Sequence, residues 1–425
     1  MNYAEVEDYI FGRRRMGMKF GLQRVRKLMA DAGDPEKSYR TIHVVGTNGK
    51  GSTTAFLAGI LHEMGLRVGR MTSPHLLHYR ERAAVDGQWM PEEAVVDFIE
   101  RFRDRIEAYS ATFFEITTVM SAWHFRNCGV DAVVAEAGLG GRLDATRLLN
   151  GELTVFTGVE IEHRRILGDT EALITAEKVA IARRGSTLIA YPQDPEVERV
   201  IQSAVQGSRL ERILPEPADF APLPGDHQKR NAGLAIAAAA EFTGTGTDVV
   251  TEIFRRSCDG FRWSGRIDLR RGDPPMLFDV AHNPGSMENL IEHLRTGWRL
   301  PLPAVVGFLE DKFWREMTEQ LKGIFDPVVT TRPVNERSLS ADVLADEFRK
   351  HGVEAVAETE IGRALERGRT LADRLLVITG SFFVTGEAML TAWRKGWIAL
   401  PETDEEPAQL FSSPGDVDSP EPTDL

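Results

Sequence analysis

Short apolar runs alternate along this chain with longer stretches in which apolar residues recur every three to four positions. Residues 41–45 (Thr-Ile-His-Val-Val) are β-branched or apolar and stop at Gly46, after which a helical rhythm runs over 52–64 until Gly65 ends it. Residues 66–71, 131–135, 154–157 and 187–190 read as further strands, with 91–109, 116–127, 170–182 and the alanine-rich 231–242 as helices. Strands that are apolar on both faces are expected in a mainly parallel sheet covered by helices on each side. A second alternation follows Trp263-Ser264-Gly265-Arg266, with strands at 276–278, 304–306, 327–329 and 375–378 and helices at 286–294, 313–321, 340–350 and 361–371. The expected fold is α/β: an N-terminal P-loop-type, mainly parallel sheet domain over 1–262, and a smaller C-terminal Rossmann-like α/β domain over 263–400. The linker falls at about 261–272, and a cleft is expected between the two.

Composition narrows the classes. A chain of 425 residues is too long for one ordinary core, and 42% hydrophobic with 27% charged residues is a globular balance. No stretch approaches the roughly 20 apolar residues of a membrane helix. The first residues carry Glu5 and Glu7 and no apolar run, which argues against a secretory leader. Cys128 and Cys258 show no metal-ligand spacing, and a reducing cytoplasm is the expected compartment. The net charge of −13 is concentrated at one end: residues 401–425 hold eight acids and no Lys or Arg, so they read as a solvated, disordered tail. Arg13-Arg14-Arg15 reads as a wet helix face, so neither nucleic acid nor a membrane is an expected partner.

The chemistry begins at Gly46-Thr47-Asn48-Gly49-Lys50-Gly51-Ser52, between a strand and a helix. Small residues there let backbone N–H groups approach phosphate oxygens, and the helix start adds partial positive charge. Lys50 would reach terminal phosphates, and Ser52 or Thr53 would join the phosphate or Mg²⁺ shell. The spacing departs from G-x-x-x-x-G-K-[ST], since Val44 stands at its first Gly and Gly51 at its hydroxyl position. A plain glycine-rich turn is the competing reading. The order strand, loop, helix favours phosphate.

With this loop, five further segments resemble the folylpolyglutamate synthase and dihydrofolate synthase family, a branch of the Mur ligases. They are Thr72-Ser73-Pro74-His75-Leu76, Phe113-Phe114-Glu115, the block from Glu136 through Gly138, Gly140-Gly141-Arg142 and Asp144 to Thr146, Ala176-Glu177-Lys178, and Asp279 through His282-Asn283-Pro284. Lys19-Phe20-Gly21-Leu22 matches as well, so the likeness runs over about 19–386. It implies ATP-dependent joining of L-glutamate to a pteroate or folate carboxylate through an acyl phosphate, with two Mg²⁺ ions, by a monomer.

The resemblance also implies roles. Thr47, Asn48, Gly49, Lys50, Gly51, Ser52 and Thr53 would hold the nucleotide, Asn231 its adenine side, and Asp279 and His282 its ribose and terminal phosphates. Lys50, Arg266, Lys178 and His282 would be catalytic, and Ser73, Glu136 and His163 the metal ligands. Read on its residues, Lys178 is an exposed helix lysine; by resemblance it is carbamylated and carries oxygens in place of an ammonium. Tyr79, Arg82 and Phe114 fall at the pterin, and Arg337 and Ser381 at the incoming glutamate's carboxylates. Glu162 before His163 stands where the family has Asp, Val179-Ala180 replaces Ala-Gly, Arg183-Arg184-Gly185 replaces Lys-Pro-Gly, and Ala83 stands where Ile is common. Two alternatives stay open: a nucleotide-binding module of this fold without turnover, and another Mur-type amide ligase.

Overall fold

The computed structural model describes residues 1–17, 21–258 and 260–399. Lys19, Phe20 and the acidic tail over 401–425 lie outside the described residues. The chain divides into two compact units. The first comprises Met1–His75, Tyr79–Arg266 and Gly285–Gly297, and the second Leu76–His78, Ile267–Pro284 and the chain from Trp298 onward.

The first unit is built on eight strands: β1 (Arg40–Val45), β2 (Val68–Met71), β3 (Ala83–Val85), β4 (Gln88–Trp89), β5 (Ala132–Glu136), β6 (Leu153–Phe156), β7 (Thr187–Ala190) and β8 (Glu211–Ile213). Their order is β4-β3-β2-β5-β1-β6-β7-β8, parallel from β2 to β8. Every residue of β5 is buried. Val133 and Ala135 enter one core, beside the helices Glu92–Tyr109 and Phe113–Cys128, while Ala132 and Val134 enter the other, beside Lys50–Glu63 and Asp226–Thr243. That two-residue alternation between two apolar layers is why β5 reads as continuously hydrophobic. At one edge Asp86 (φ 50°) and Gly87 (φ 83°) turn β3 back into β4, the left-handed pair a two-residue hairpin requires.

One helix begins earlier than its apolar rhythm suggests. Phe113–Cys128 starts three residues before 116, because the Thr112 hydroxyl accepts the Glu115 N–H and the Glu115 carboxylate accepts the Thr112 N–H. This reciprocal cap fixes Phe113 and Phe114 on the first turn.

The second unit carries β9 (Asp268–Arg270), β10 (Met276–Phe278), β11 (Leu302–Val306), β12 (Phe325–Thr330), β13 (Ala355–Ala357) and β14 (Leu376–Thr379). They run in the order β13-β12-β11-β14-β10-β9, with β9 alone antiparallel. Both units are therefore mixed, mainly parallel α/β sheets.

Candidate active site

The loop after β1 is shaped by what lies against its glycines. A Cβ on Gly46 (φ 156°) would fall 1.9 Å from Thr157 Oγ1, and one on Gly49 (φ 82°) 2.4 Å from Asn231 Oδ1. Only glycine lets the loop pass this close to β6's end and to the helix Asp226–Thr243. Side chains then pin it. The Thr47 N–H donates to the Gly158 carbonyl at 2.9 Å, Thr157 Oγ1 to the Asn48 carbonyl at 2.6 Å, and Asn48 Nδ2 to Glu160 Oε1 at 2.7 Å. Lys50 opens the helix Lys50–Glu63 and donates to the Thr47 carbonyl at 2.8 Å. Ser52 and Thr53 are buried in its first turn, and Thr53 Oγ1 has no hydrogen-bond partner among the described residues. Asn231 is held by its Nδ2 donating to Gln228 Oε1 at 2.9 Å. Beside it, burial first and Arg266 second push the His227 imidazole down to about 4, so it is neutral near pH 7.

At the adjacent strand end, Glu136 closes β5, where functional groups of parallel sheets gather. It is 5% exposed and accepts the Ser73 N–H at 3.1 Å. A Cβ on Gly51 would sit 3.7 Å from Glu136 Oε2, 3.7 Å from an Arg266 guanidinium nitrogen and 3.6 Å from the Trp263 indole nitrogen. A carboxylate and a guanidinium thus meet over the first turn of the phosphate-loop helix. Burial raises the Glu136 pKa, opposed first by Lys50, then by the Ser73 N–H and Arg266.

Lys178 overturns the reading of an exposed helix lysine. It is 4% exposed, and its Nζ donates to the Gly46 carbonyl. The reason is a close approach: a Cβ on Gly141 would lie 2.2 Å from the Lys178 carbonyl, so Gly140-Gly141 brings Lys178's helix, Glu171–Val179, against the strand ends. Burial and then Lys50 lower the amine to about 7.

Among the described residues no group of three or more His, Cys, Asp or Glu could by itself hold a metal ion. Glu136 lies beside the Ser73 backbone, and a carboxylate and a serine hydroxyl are hard oxygen donors that suit Mg²⁺ when phosphate oxygens and water complete the shell, so the donor types fit. The third candidate ligand is His163. It caps the short helix Arg164–Leu167 at φ 52°, with Nε2 2.9 Å from Glu162.

Tyr79 and Arg82 share an aromatic cluster that sequence reasoning saw only in part. Tyr79 donates or accepts a 2.9 Å bond with Thr117 Oγ1 and packs edge-on to Phe113 (5.8 Å) and Phe11 (5.9 Å). Arg82 Nε donates to His75 Nδ1 at 2.8 Å, and the Arg82 and Arg14 guanidinium carbons lie 5.0 and 4.7 Å from the Phe113 ring centre. Phe114 packs on the same core, its ring pressed to Gly138, where a Cβ would sit 2.4 Å from it. In the second unit Asp279 accepts the Ile267 and Ala281 N–H groups, both at 2.8 Å, and His282 packs edge-on to Phe382 at 5.6 Å. Ser381 caps the helix Phe382–Arg394, and Arg337 is paired with Asp311 at 2.8 Å.

Trp263, Glu160, Phe11, His75 and Arg14 were missed as site neighbours. For Trp263 the signal was its place three residues before Arg266, and for His75 its place in the Thr72–Leu76 segment, seven residues before Arg82; Glu160, Phe11 and Arg14 meet Asn48 and Phe113 from distant parts of the chain and leave no local pattern.

A glycine-shaped loop, its lysine and a buried carboxylate on the next strand define a nucleotide-binding α/β protein. Residues 265–382 match the Mur ligase glutamate ligase domain. The chain is 32% identical to the dihydrofolate synthase/folylpolyglutamate synthase of Bacillus subtilis, over 76% of this chain and 83% of that protein. It belongs to the folylpolyglutamate synthase/dihydrofolate synthase family of the Mur ligase superfamily. It is also 32% identical over 95% of its length to a probable bifunctional folylpolyglutamate synthase/dihydropteroate synthase of Halobacterium salinarum, of which it spans 53%. Among solved structures it resembles Mycobacterium tuberculosis folylpolyglutamate synthase complexed with ADP (TM-score 0.82, 26% identity, 91% of this chain and 97% of that one). Escherichia coli FolC with DHPP and ADP (0.80, 26%, 93% and 99%) and the Yersinia pestis bifunctional enzyme with AMPPNP and Mn (0.80, 26%, 92% and 97%) are similar too.

Proposed function

We propose that this chain is an ATP-dependent ligase that joins L-glutamate to dihydropteroate or to a (tetrahydro)folyl-polyglutamate through an acyl phosphate, releasing ADP and phosphate. The observation that carries it is the meeting of Glu136 and Arg266 over the helix that Lys50 opens.

The substrate carboxylate oxygen attacks the γ-phosphorus and ADP leaves; the glutamate amine then attacks the acyl carbon, loses a proton, and phosphate leaves. Such transfer depends on positioning and charge neutralisation. Backbone N–H groups of 47–51 cradle the phosphates, and Lys50 and Arg266 offset charge on the transferred group. Glu136 and Ser73 would hold Mg²⁺, which supplies electrostatic stabilisation of the phosphate oxygens. A second Mg²⁺ would be held by His163 and a carbamate on Lys178. Carbamylation is supported by the Lys178 amine: at about 7 much of it is neutral at physiological pH, the form that adds CO₂, and the carbamate keeps one N–H for the Gly46 carbonyl. Asn231 would hold the adenine side, Asp279 and His282 the ribose and terminal phosphates, Tyr79, Arg82 and Phe114 the pteroyl group, and Arg337 and Ser381 the glutamate. The enzyme is read as a cytoplasmic monomer.

A binding module without turnover draws on the His163–Glu162 pair, which occupies the imidazole expected at a metal. Phosphate release with ATP, glutamate and either dihydropteroate, tetrahydrofolate or a muramoyl peptide separates the readings. Stimulation by a pteroyl substrate supports the ligase; stimulation by the peptide or by none of them refutes it.

A further inference from the structure

The large sheet has a second concavity at the end away from the phosphate loop. That loop follows β1 and sits at the carboxyl ends of the parallel strands, whereas Asn150, residues 180–184 and Ser208 precede β6, β7 and β8 at their amino ends. The cavity lined by these segments measures about 420 Å³, within the size range of small-molecule sites.

Its rim carries four guanidinium groups, from Arg142, Arg147, Arg183 and Arg184, and no carboxylate. Arg142 is engaged by Glu177 at 3.0 Å, Arg147 donates to the Arg142 carbonyl at 2.8 Å, and Arg183 donates to Asn150 Oδ1 at 3.1 Å. Among the described residues, Arg142 is the one member of the four with a carboxylate partner. The bland account is a solvated basic face. Exposed arginines elsewhere stand both with acids, as Arg40 with Glu152 and Arg255 with Asp219, and, among the described residues, without one, as Arg26, Arg165 and Arg299; what sets this face apart is the gathering of four round one hollow. Four guanidiniums gathered round one hollow, three without an acid, raise a local positive potential that screening in open solvent does not demand. Their forked donors match carboxylate and phosphate oxygens two at a time.

We propose that this hollow binds a small polyanion carrying two or more carboxylate or phosphate groups, separately from the nucleotide loop. The proposal stands whether or not the chain turns over. The pocket wall includes Arg142, whose backbone N–H and side chain both engage Glu177, the residue before Lys178, so a ligand here touches the segment that seats that lysine.

The test uses the full chain saturated with ADP, to block the phosphate loop, and titrates pyrophosphate or tri-γ-glutamate by calorimetry at low ionic strength. The variants are Arg147→Gln and Arg184→Gln, each with ADP affinity measured first as a check on the fold. At least one anion binds the parent protein, and each variant weakens it about tenfold, the loss expected for one charge-assisted hydrogen bond. Binding of pyrophosphate only assigns a phosphate ligand, and binding of tri-γ-glutamate only a carboxylate one. Absence of binding by both anions, or affinities unchanged in both variants, overturns the proposal.

Discussion

Gly49→Ala tests the geometry of the phosphate loop most simply. Gly49 lies at φ 82°, ψ −13°, a left-handed conformation that costs an L-residue about 1–2 kcal/mol. The new methyl would fall 2.4 Å from Asn231 Oδ1 and 3.2 Å from its Cγ, so the carboxamide must swing away. That breaks the 2.9 Å bond from Asn231 to Gln228, worth about 1 kcal/mol. The total is about 2–3 kcal/mol. Whatever the free loop recovers by relaxing it must give back on binding phosphate. The losses in unfolding free energy (urea titration) and in ADP binding (calorimetry) should therefore add to that figure. Replacing Asn231 with Ala in the Gly49→Ala background removes the collision and leaves the strain, so the double variant should lose about 1 kcal/mol less than the sum of the singles. A Gly49→Ala protein with native stability and native ADP affinity would refute the reasoning.

Three further outcomes follow from the same contacts. Gly141→Ala drives a methyl to 2.2 Å from the Lys178 carbonyl and 2.9 Å from the Glu177 carbonyl; backbone must shift, and the urea midpoint should fall by the equivalent of about 1–3 kcal/mol. Glu136→Gln keeps the shape and removes the charge, so Mg²⁺ should cease to strengthen ADP binding while affinity in EDTA stays near the parent value; undiminished Mg²⁺ dependence would count against Glu136 as a ligand. In CO₂-depleted buffer the unfolded chain protonates Lys178 near 10.5 and the folded chain near 7, so the unfolded state holds more protons between them. Lys178's contribution to stability should then decline as pH falls from about 10.5 to 7, and Lys178→Met should flatten that part of the profile.

How much of this was legible depended on distance along the chain. The run 131–135 ending at Glu136 reads directly as a buried strand with an acid at its carboxyl end, and 41–50 reads as strand, loop and helix start. Both rest on local periodicity. The hairpin at Asp86-Gly87 and the Thr112-x-x-Glu115 cap had local signatures too, but short elements are overshadowed by longer apolar runs. Lys178 was misjudged on its residues because its burial comes from Gly141, a contact its own helix does not encode. Glu160 meets Asn48, and Arg14 meets Phe113, only once the sheet has formed. The four arginines of the basic hollow come from two segments, Arg142 and Arg147 before β6 and the adjacent Arg183-Arg184 before β7, and no period in the sequence joins the two.

The most direct test of a ligase that works through an acyl phosphate is isotope transfer. Dihydropteroate labelled with ¹⁸O in both carboxylate oxygens is turned over with ATP and glutamate, and the released phosphate is analysed by mass. The account predicts one ¹⁸O in each phosphate for every amide formed. Amide formation with unlabelled phosphate would contradict it.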